Sequence, residues 1–218
     1  MAKGTGLKSE LFRKFLHVMC MALVLLPIYL FRVWYLAVLS VLIAIPVIYP
    51  LLTLAERHPQ YGKFFSQRKE GEVKRSFLLV SLMIIVLIVV FWGCLGEQWK
   101  YNIVVAVLAW GLGDAAAALI GKACGRHFLE HPLIEGKKTL EGTLAMFAVS
   151  CFAIGLVTIL YAVLPWYLCL VLALMVSPFC ALVELFSKNG NDTITVPLAT
   201  ALMVYGGVSF FTYLGGVA

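Results

Sequence analysis

Charged side chains are scarce in this chain of 218 residues: Asp, Glu, Lys and Arg make up 13% of it, whereas hydrophobic residues make up 62%. Soluble globular domains carry about 25% charged residues. A membrane-spanning helix needs about 20 mostly apolar residues, so helical spans consume most of the chain and leave only short loops. The composition excludes an ordinary soluble domain, and any active site has to be built from helix ends and loops.

Several motifs of known chemistry are also missing. The six cysteines include no CxxC pair, which predicts packing residues rather than a metal site or a disulfide framework. In residues 131–138, HPLIEGKK, a histidine replaces the first glycine of a P-loop and a lysine replaces its final Ser or Thr. Residues 111–114, GLGD, lack the third glycine of a dinucleotide fingerprint. His127 and His131 are spaced for one helical face, but without a third ligand nearby they favour a solvated loop over a metal site.

Long apolar runs predict an all-α, polytopic membrane protein with about seven spans, forming one helical domain over 1–218. The predicted helices cover about residues 11–31, 33–54, 77–95, 101–121, 142–163, 166–186 and 194–214. The first run has a basic start but no small-residue cleavage site, so we interpret it as a retained helix rather than a signal peptide. Pro46 and Pro50 predict a kink in the second helix.

Lysine and arginine predict the orientation. If the amino terminus is cytoplasmic, only two of the 17 cations, Arg32 and Lys100, lie in segments on the far side, which satisfies the positive-inside rule. Every candidate site residue then lies on the cytoplasmic side, so a cytosolic solute is the expected partner, and no nucleic acid is expected. Small size and the lack of targeting extensions favour a prokaryotic plasma membrane. Part of the net charge of +6 is equally explained by an anionic lipid leaflet.

Asp114 stands in the fourth predicted helix, after Gly111 and Gly113 and before four alanines. A carboxylate in hydrocarbon is costly and is by default a functional candidate. Small neighbours let another helix approach closely, so we expect Asp114 to face the helix bundle. The alternative is a structural carboxylate paired with a cation or hydroxyl.

The loop after this helix combines cations with glycines, as a polyphosphate site requires. Its basic residues are Lys122, Arg126, Lys137 and Lys138. Thr139 is a candidate N-cap for the fifth helix, whose free N–H groups attract anions. Two adjacent lysines alone are more often a topology signal, so the phosphate reading depends on their sharing a site with Asp114.

Three further segments carry polar residues on the same side. Glu10, Arg13, Lys14 and His17 recur at three- and four-residue steps and so share one face of the first helix, although Arg13 and Lys14 are equally explained as snorkelling cations. The loop before the third helix contains Lys69, Glu70, Glu72, Lys74, Arg75 and Ser76. Glu184 precedes the end of the sixth helix, and Asn191 and Asp192 precede the seventh. Asp114, Glu184 and Asp192 at one depth would suit Mg²⁺ bound together with nucleotide phosphates.

Five segments together resemble the CTP-dependent lipid-alcohol kinases, a family comprising dolichol kinase, phytol kinase and CTP-dependent diacylglycerol kinase and related to the phosphatidate cytidylyltransferases. They are RKFLH at 13–17, GEVKRS at 71–76, GDAAAALIGKACGRH at 113–127, GKKTLEGT at 136–143 and NDTITVPL at 191–198. The resemblance covers nearly the whole chain in the same order and spacing. It implies transfer of the terminal phosphate of CTP to a membrane lipid alcohol such as a polyprenol, dolichol, a phytol-like alcohol or diacylglycerol.

The resemblance also implies residue roles. It assigns nucleotide binding to nine residues: Lys122, Arg126, Lys137, Lys138, Thr139, Glu141, Lys74, Arg75 and Ser76. Mg²⁺ binding falls to Asp114 with Glu184, Asp192 or Asn191, since the family often has DN where this chain has Asn191 before Asp192. Catalytic roles fall to Asp114, His17, Lys14 and Arg13. The choice of CTP over ATP rests on the resemblance alone. The alternatives are a phosphatidate cytidylyltransferase and a transporter, though a transporter predicts repeats that the chain lacks.

Overall fold

The computed structural model describes residues 7–57, 71–188 and 190–215. Within these ranges it has seven long helices: α1 Leu7–Leu30, α2 Trp34–Glu56, α3 Glu72–Leu87, α4 Lys100–Cys124, α5 Leu140–Leu160, α6 Trp166–Phe186 and α7 Asp192–Gly215. A π-helical segment, Ile88–Cys94, extends α3, and a 3₁₀ turn, Glu97–Trp99, precedes α4. Each of the seven helices, α3 together with its extension, is long and apolar enough to span a membrane. The predicted seven-span all-α fold is confirmed.

The largest difference from the predicted boundaries lies at α3. The helix begins at Glu72, after Gly71 in the left-handed conformation with a φ of 73°, and not at residue 77. Hydropathy marks only the apolar part of a span, so the polar first turn was assigned to the loop. Lys74, Arg75 and Ser76 are therefore helical, and Asp192 likewise lies in the first turn of α7. Residues 58–70, which include Lys69 and Glu70, lie outside the described residues.

The α4 helix is the centre of the bundle, and it packs against α1, α5 and α7. A helix that is buried on all sides has apolar residues around its whole circumference. Residues 103–109 of α4 fit this description, since all of them are Val, Ala, Ile or Leu. A Cβ atom on Gly111 would lie 2.2 Å from the Met21 sulfur in α1, and one on Gly113 would lie 2.4 Å from the Met146 sulfur in α5. Both glycines, which precede Asp114 in the chain, thus lie where a neighbouring helix approaches α4 closely.

Two elements lie at the surface of the bundle: the α2 helix and a short hairpin between α4 and α5. The α2 helix continues through Pro46 and Pro50 as one helix; within it only Ala37 and Val41 are buried, so most of its surface is left to lipid. Between α4 and α5 the chain forms a small antiparallel hairpin that pairs β1, Phe128–Leu129, with β2, Lys138–Thr139. The hairpin was not predicted from the sequence, because two-residue strands leave no periodic pattern.

Candidate active site

The centre of the candidate site is an ion pair between α1 and α4. Lys14 Nζ donates a hydrogen bond to Asp114 Oδ2 at 2.5 Å, and the two side chains are only 9% and 15% exposed. Asp114 lies about 15 Å along the helix axis from the end of α4, at 1.5 Å per residue. Asp114 therefore faces the bundle, as predicted, and it has the cationic partner that the structural alternative required.

His17 lies one turn deeper on α1, beside the same carboxylate. Its Nε2 atom is 3.7 Å from Asp114 Oδ2, which is longer than a hydrogen bond. The His17 ring meets the buried Trp110 ring edge to face, with the ring centroids 4.8 Å apart. Asp114 is thus the charged neighbour of His17, across a gap, and Trp110 is a neighbour that the sequence did not indicate.

A second set of ion pairs surrounds Glu10, which is only 2% exposed. Arg13 pairs with Glu10 on α1 and also approaches Glu72 of α3, with Nη1 to Oε1 at 3.4 Å. Lys122 of α4 pairs with Glu10 at 3.3 Å. These contacts join α1, α3 and α4 around one buried carboxylate. The sequence placed Glu10 on the same helical face as Arg13 but gave it no role, because its second partner, Lys122 on α4, is 112 positions away.

Glu141 organises the hairpin. Its carboxylate accepts hydrogen bonds from the backbone N–H groups of Arg126 and His127 at 3.1 and 3.2 Å, and it lies 2.8 Å from His127 Nδ1. Thr139 caps α5, accepting a hydrogen bond from the Gly142 N–H at 3.2 Å, as predicted. The contacts of Glu141 give it a role in shaping the loop, and a direct contact with nucleotide stays a prediction. The two histidines that were candidates for a metal pair lie in non-helical chain, so the helical spacing argument for them does not apply.

The hairpin is tied to the end of α6 by Lys138. Its Nζ atom donates to Glu184 Oε1 at 2.7 Å and also to the Glu184 backbone carbonyl. Lys137 and Arg126 are exposed, and neither side chain forms an ion pair with any residue in the described ranges. The loop thus holds one anchored cation and two that are available to a ligand.

The α7 helix brings a third carboxylate to this end of the bundle. Asp192 is half-buried in the first turn of α7 and has no hydrogen bond or ion pair with the other described residues. It lies within electrostatic range of Asp114, Glu184, Lys14 and Lys138. Asn191 is exposed, and its backbone carbonyl accepts hydrogen bonds from the N–H groups of Ile194 and Thr195.

Carboxylate oxygens are the donors that Mg²⁺ prefers, so the chemistry of this set fits the metal. Asp192 is the carboxylate left without a cationic partner, whereas Asp114 and Glu184 are each paired with a lysine. Within the ranges that the structure covers, three or more His, Cys, Asp or Glu side chains do not already converge closely enough to form a metal site. A metal here would depend on oxygen atoms from phosphate or water as well.

The remaining predicted nucleotide residues lie on α3. Lys74 Nζ pairs with Glu56 Oε2 of α2 at 2.7 Å, and Arg75 and Ser76 are exposed. The residue of α3 that contacts α1 is Glu72, which forms an ion pair with Arg13. The known contacts of Lys74 therefore connect α3 to α2, and nucleotide binding by Lys74, Arg75 and Ser76 stays a prediction.

A comparison with known proteins finds a relative over most of the chain. The chain is 32% identical over 160 residues to a phytol kinase of Synechocystis sp., a match that covers 73% of this chain and 60% of that protein. The matched region thus spans three-fifths of the length of this curated relative. No protein-family model matches the sequence. No solved structure matches it either.

Proposed function

This chain belongs to the family of lipid-alcohol kinases that includes phytol kinase, and from this we propose that it transfers the terminal phosphate of CTP to the hydroxyl group of a membrane lipid alcohol. CTP comes from the resemblance described above. The name of the relative makes a phytol-like isoprenoid alcohol the first acceptor to test. Polyprenol, dolichol and diacylglycerol are the alternatives, since an apolar groove discriminates weakly among lipid tails.

The observation that carries the proposal is the meeting of buried ion pairs with available cations at one end of the bundle. The Lys14–Asp114 and Lys138–Glu184 pairs are largely buried, and because burying charge in a membrane protein is costly, such residues are functional candidates. The exposed cations Arg126 and Lys137 lie in the adjoining loop. Phosphoryl transfer asks mainly for positioning and for charge stabilisation, and this arrangement supplies both.

In this proposal the loop and the helices divide the work. Lys137, Arg126 and Lys122 bind phosphate oxygens, and Glu141 keeps the loop in shape. Asp192 and Glu184, with Asp114, would hold Mg²⁺, which would neutralise charge on the phosphates when bound. Asp114 is also positioned to accept a hydrogen bond from the acceptor hydroxyl. The lipid enters laterally between helices, and the nucleotide comes from the cytosol, in keeping with the bias of lysine and arginine.

The test is product formation by the purified protein in detergent with Mg²⁺ and CTP or ATP labelled at the γ-phosphate. The acceptors are phytol, geranylgeraniol, a polyprenol and diacylglycerol, and an Asp114→Asn protein is the matched control. Labelled lipid from CTP, absent with the control, supports the proposal and identifies the acceptor. Equal labelling from ATP would overturn the choice of CTP. Pyrophosphate released on addition of phosphatidate would replace the kinase with a cytidylyltransferase, and no product from folded protein would contradict an enzymatic role.

A further inference from the structure

Near Asp114, two buried ring nitrogens form no hydrogen bond with the described residues. Trp110 is only 2% exposed, and its indole Nε1 forms no hydrogen bond within the described part of the chain. His17 Nε2 is in the same situation. Buried N–H groups in proteins are almost always paired with protein or ordered water, because an unpaired one loses its hydration without compensation. The rings that carry these two atoms are in contact, with centroids 4.8 Å apart, so one small polar group could satisfy both.

The geometry around these atoms suits a group that both donates and accepts. Trp110 lies one helical turn before Asp114 on α4, which places the two side chains on the same face. The His17 ring contacts Trp110, and its Nε2 lies 3.7 Å from Asp114 Oδ2. That separation is too long for a direct hydrogen bond. A hydroxyl has two acceptor lone pairs and one donor hydrogen, so it matches two ring N–H groups and one carboxylate.

The position along α4 separates this spot from the nucleotide side. The cation-bearing loop follows the carboxyl end of α4, and Trp110 lies about 6 Å further from that end than Asp114 does, at 1.5 Å per residue. Met21 packs against Gly111 at the next position of α4. Under the proposed function, nucleotide phosphates held by the loop would meet Asp114 from the loop side, and the His17–Trp110 side would be left to the lipid.

We propose that Trp110 Nε1 and His17 Nε2 bind the hydroxyl oxygen of the acceptor lipid, while the Asp114 carboxylate accepts the hydrogen bond of that hydroxyl. His17 is then in the tautomer that carries its proton on Nε2. The ligand class is a lipid alcohol with an unhindered hydroxyl at the end of an apolar chain. This inference rests on the proposed kinase function, since it names the acceptor site of the same reaction.

The first test observes the hydrogen bond without requiring turnover. Protein labelled with ¹⁵N-tryptophan is examined by NMR in detergent, and Trp110→Phe assigns the Trp110 indole signal. We expect phytol to shift this signal in a saturable manner, whereas phytane, the hydrocarbon without the hydroxyl, leaves it in place. Trp99, which lies just before the other end of α4 and packs against Tyr205, is the internal control. A Trp110 signal that ignores phytol, or that responds equally to phytane, would assign the two atoms to ordered water and overturn the inference.

The second test uses kinetics. In Trp110→Phe the aromatic ring is kept and the N–H donor is lost, so we expect the KM for the lipid alcohol to rise about tenfold while the KM for CTP stays unchanged. Trp99→Phe is expected to change neither. Equal effects on both substrates, or no effect, would contradict a hydroxyl-binding role. An inactive wild-type protein would refute the proposed kinase, and the NMR response to phytol would still decide whether Trp110 binds an alcohol.

Discussion

At the scale of single residues, Asp114 and Lys14 raise the question whether a buried ion pair serves stability or chemistry. Removing one partner of a buried pair costs about 3–5 kcal/mol because the other charge is left uncompensated, whereas removing both is often nearly neutral. A comparison of single and double variants therefore distinguishes an effect on stability from an effect on activity. A single substitution changes both at once.

We expect Asp114→Asn to lower both the melting temperature and the kinase rate, the rate by about 100-fold or more as for loss of a group acting on the substrate proton. The double variant Lys14→Met/Asp114→Asn is expected to recover most of the melting temperature and none of the activity. The measurements are thermal unfolding in detergent and turnover of labelled lipid. Recovery of activity in the double variant would make the pair purely structural.

Lys137 offers a cleaner residue-level test because it is exposed and has no ion pair with the described residues. A hydrogen bond to a charged group contributes about 1.5 kcal/mol or more, which corresponds to about tenfold in affinity. We expect Lys137→Ala to raise the KM for CTP about tenfold with an unchanged melting temperature. Arg32→Ala, which removes an exposed cation at the other end of the bundle, is the control and should leave the KM unchanged. An unaltered KM in Lys137→Ala would remove this lysine from the nucleotide site.

At the scale of elements, the site depends on how closely the first turn of α5, which follows the hairpin, approaches α4. A Cβ atom on Gly142 would lie 2.8 Å from the backbone carbonyl oxygen of Ala117. That oxygen belongs to a helix and moves only if the helices separate. The hairpin is fixed at the same place, because Thr139 caps α5 and Lys138 reaches Glu184 on α6.

We therefore expect Gly142→Ala to destabilise the protein by about 1–3 kcal/mol, as for overpacking elsewhere, and to reduce activity. Gly206→Ala in α7 is the matched control, since nothing lies within 4 Å of its Cβ position and alanine is the better helix former by about 1 kcal/mol. Melting temperatures of the two variants provide the comparison. Equal melting temperatures would show that α4 and α5 tolerate separation at this point.

At the scale of the whole molecule, the proposed orientation places the carboxyl end of α4 on the cytoplasmic side of the membrane and its amino end on the opposite side. Cys124 is exposed at the carboxyl end of α4, next to the cation-bearing loop, and Gln98 is exposed just before its amino end. These two positions report on the two faces.

In a protein whose other five cysteines are replaced by serine or alanine, we expect a membrane-impermeant maleimide to label Cys124 from the cytoplasmic side only. A Gln98→Cys protein without Cys124 should be labelled from the opposite side only. Right-side-out and inverted vesicles provide the two exposures. Labelling of Cys124 from outside would place the candidate site on the extracytoplasmic face and exclude a cytosolic nucleotide.

The seven spans, the bundle-facing Asp114 and the Thr139 cap were predictable from the sequence, because hydropathy, small neighbours and capping act over a few residues. The pairing of Lys14 with Asp114, of Lys122 with Glu10 and of Lys138 with Glu184 joins residues 100, 112 and 46 positions apart. Local patterns contain no information about such partners, since helix packing alone decides which faces meet. Tertiary structure therefore decided that Glu10 is buried among cations, that Glu141 shapes a hairpin, and that Trp110 and His17 hold unpaired polar atoms beside Asp114.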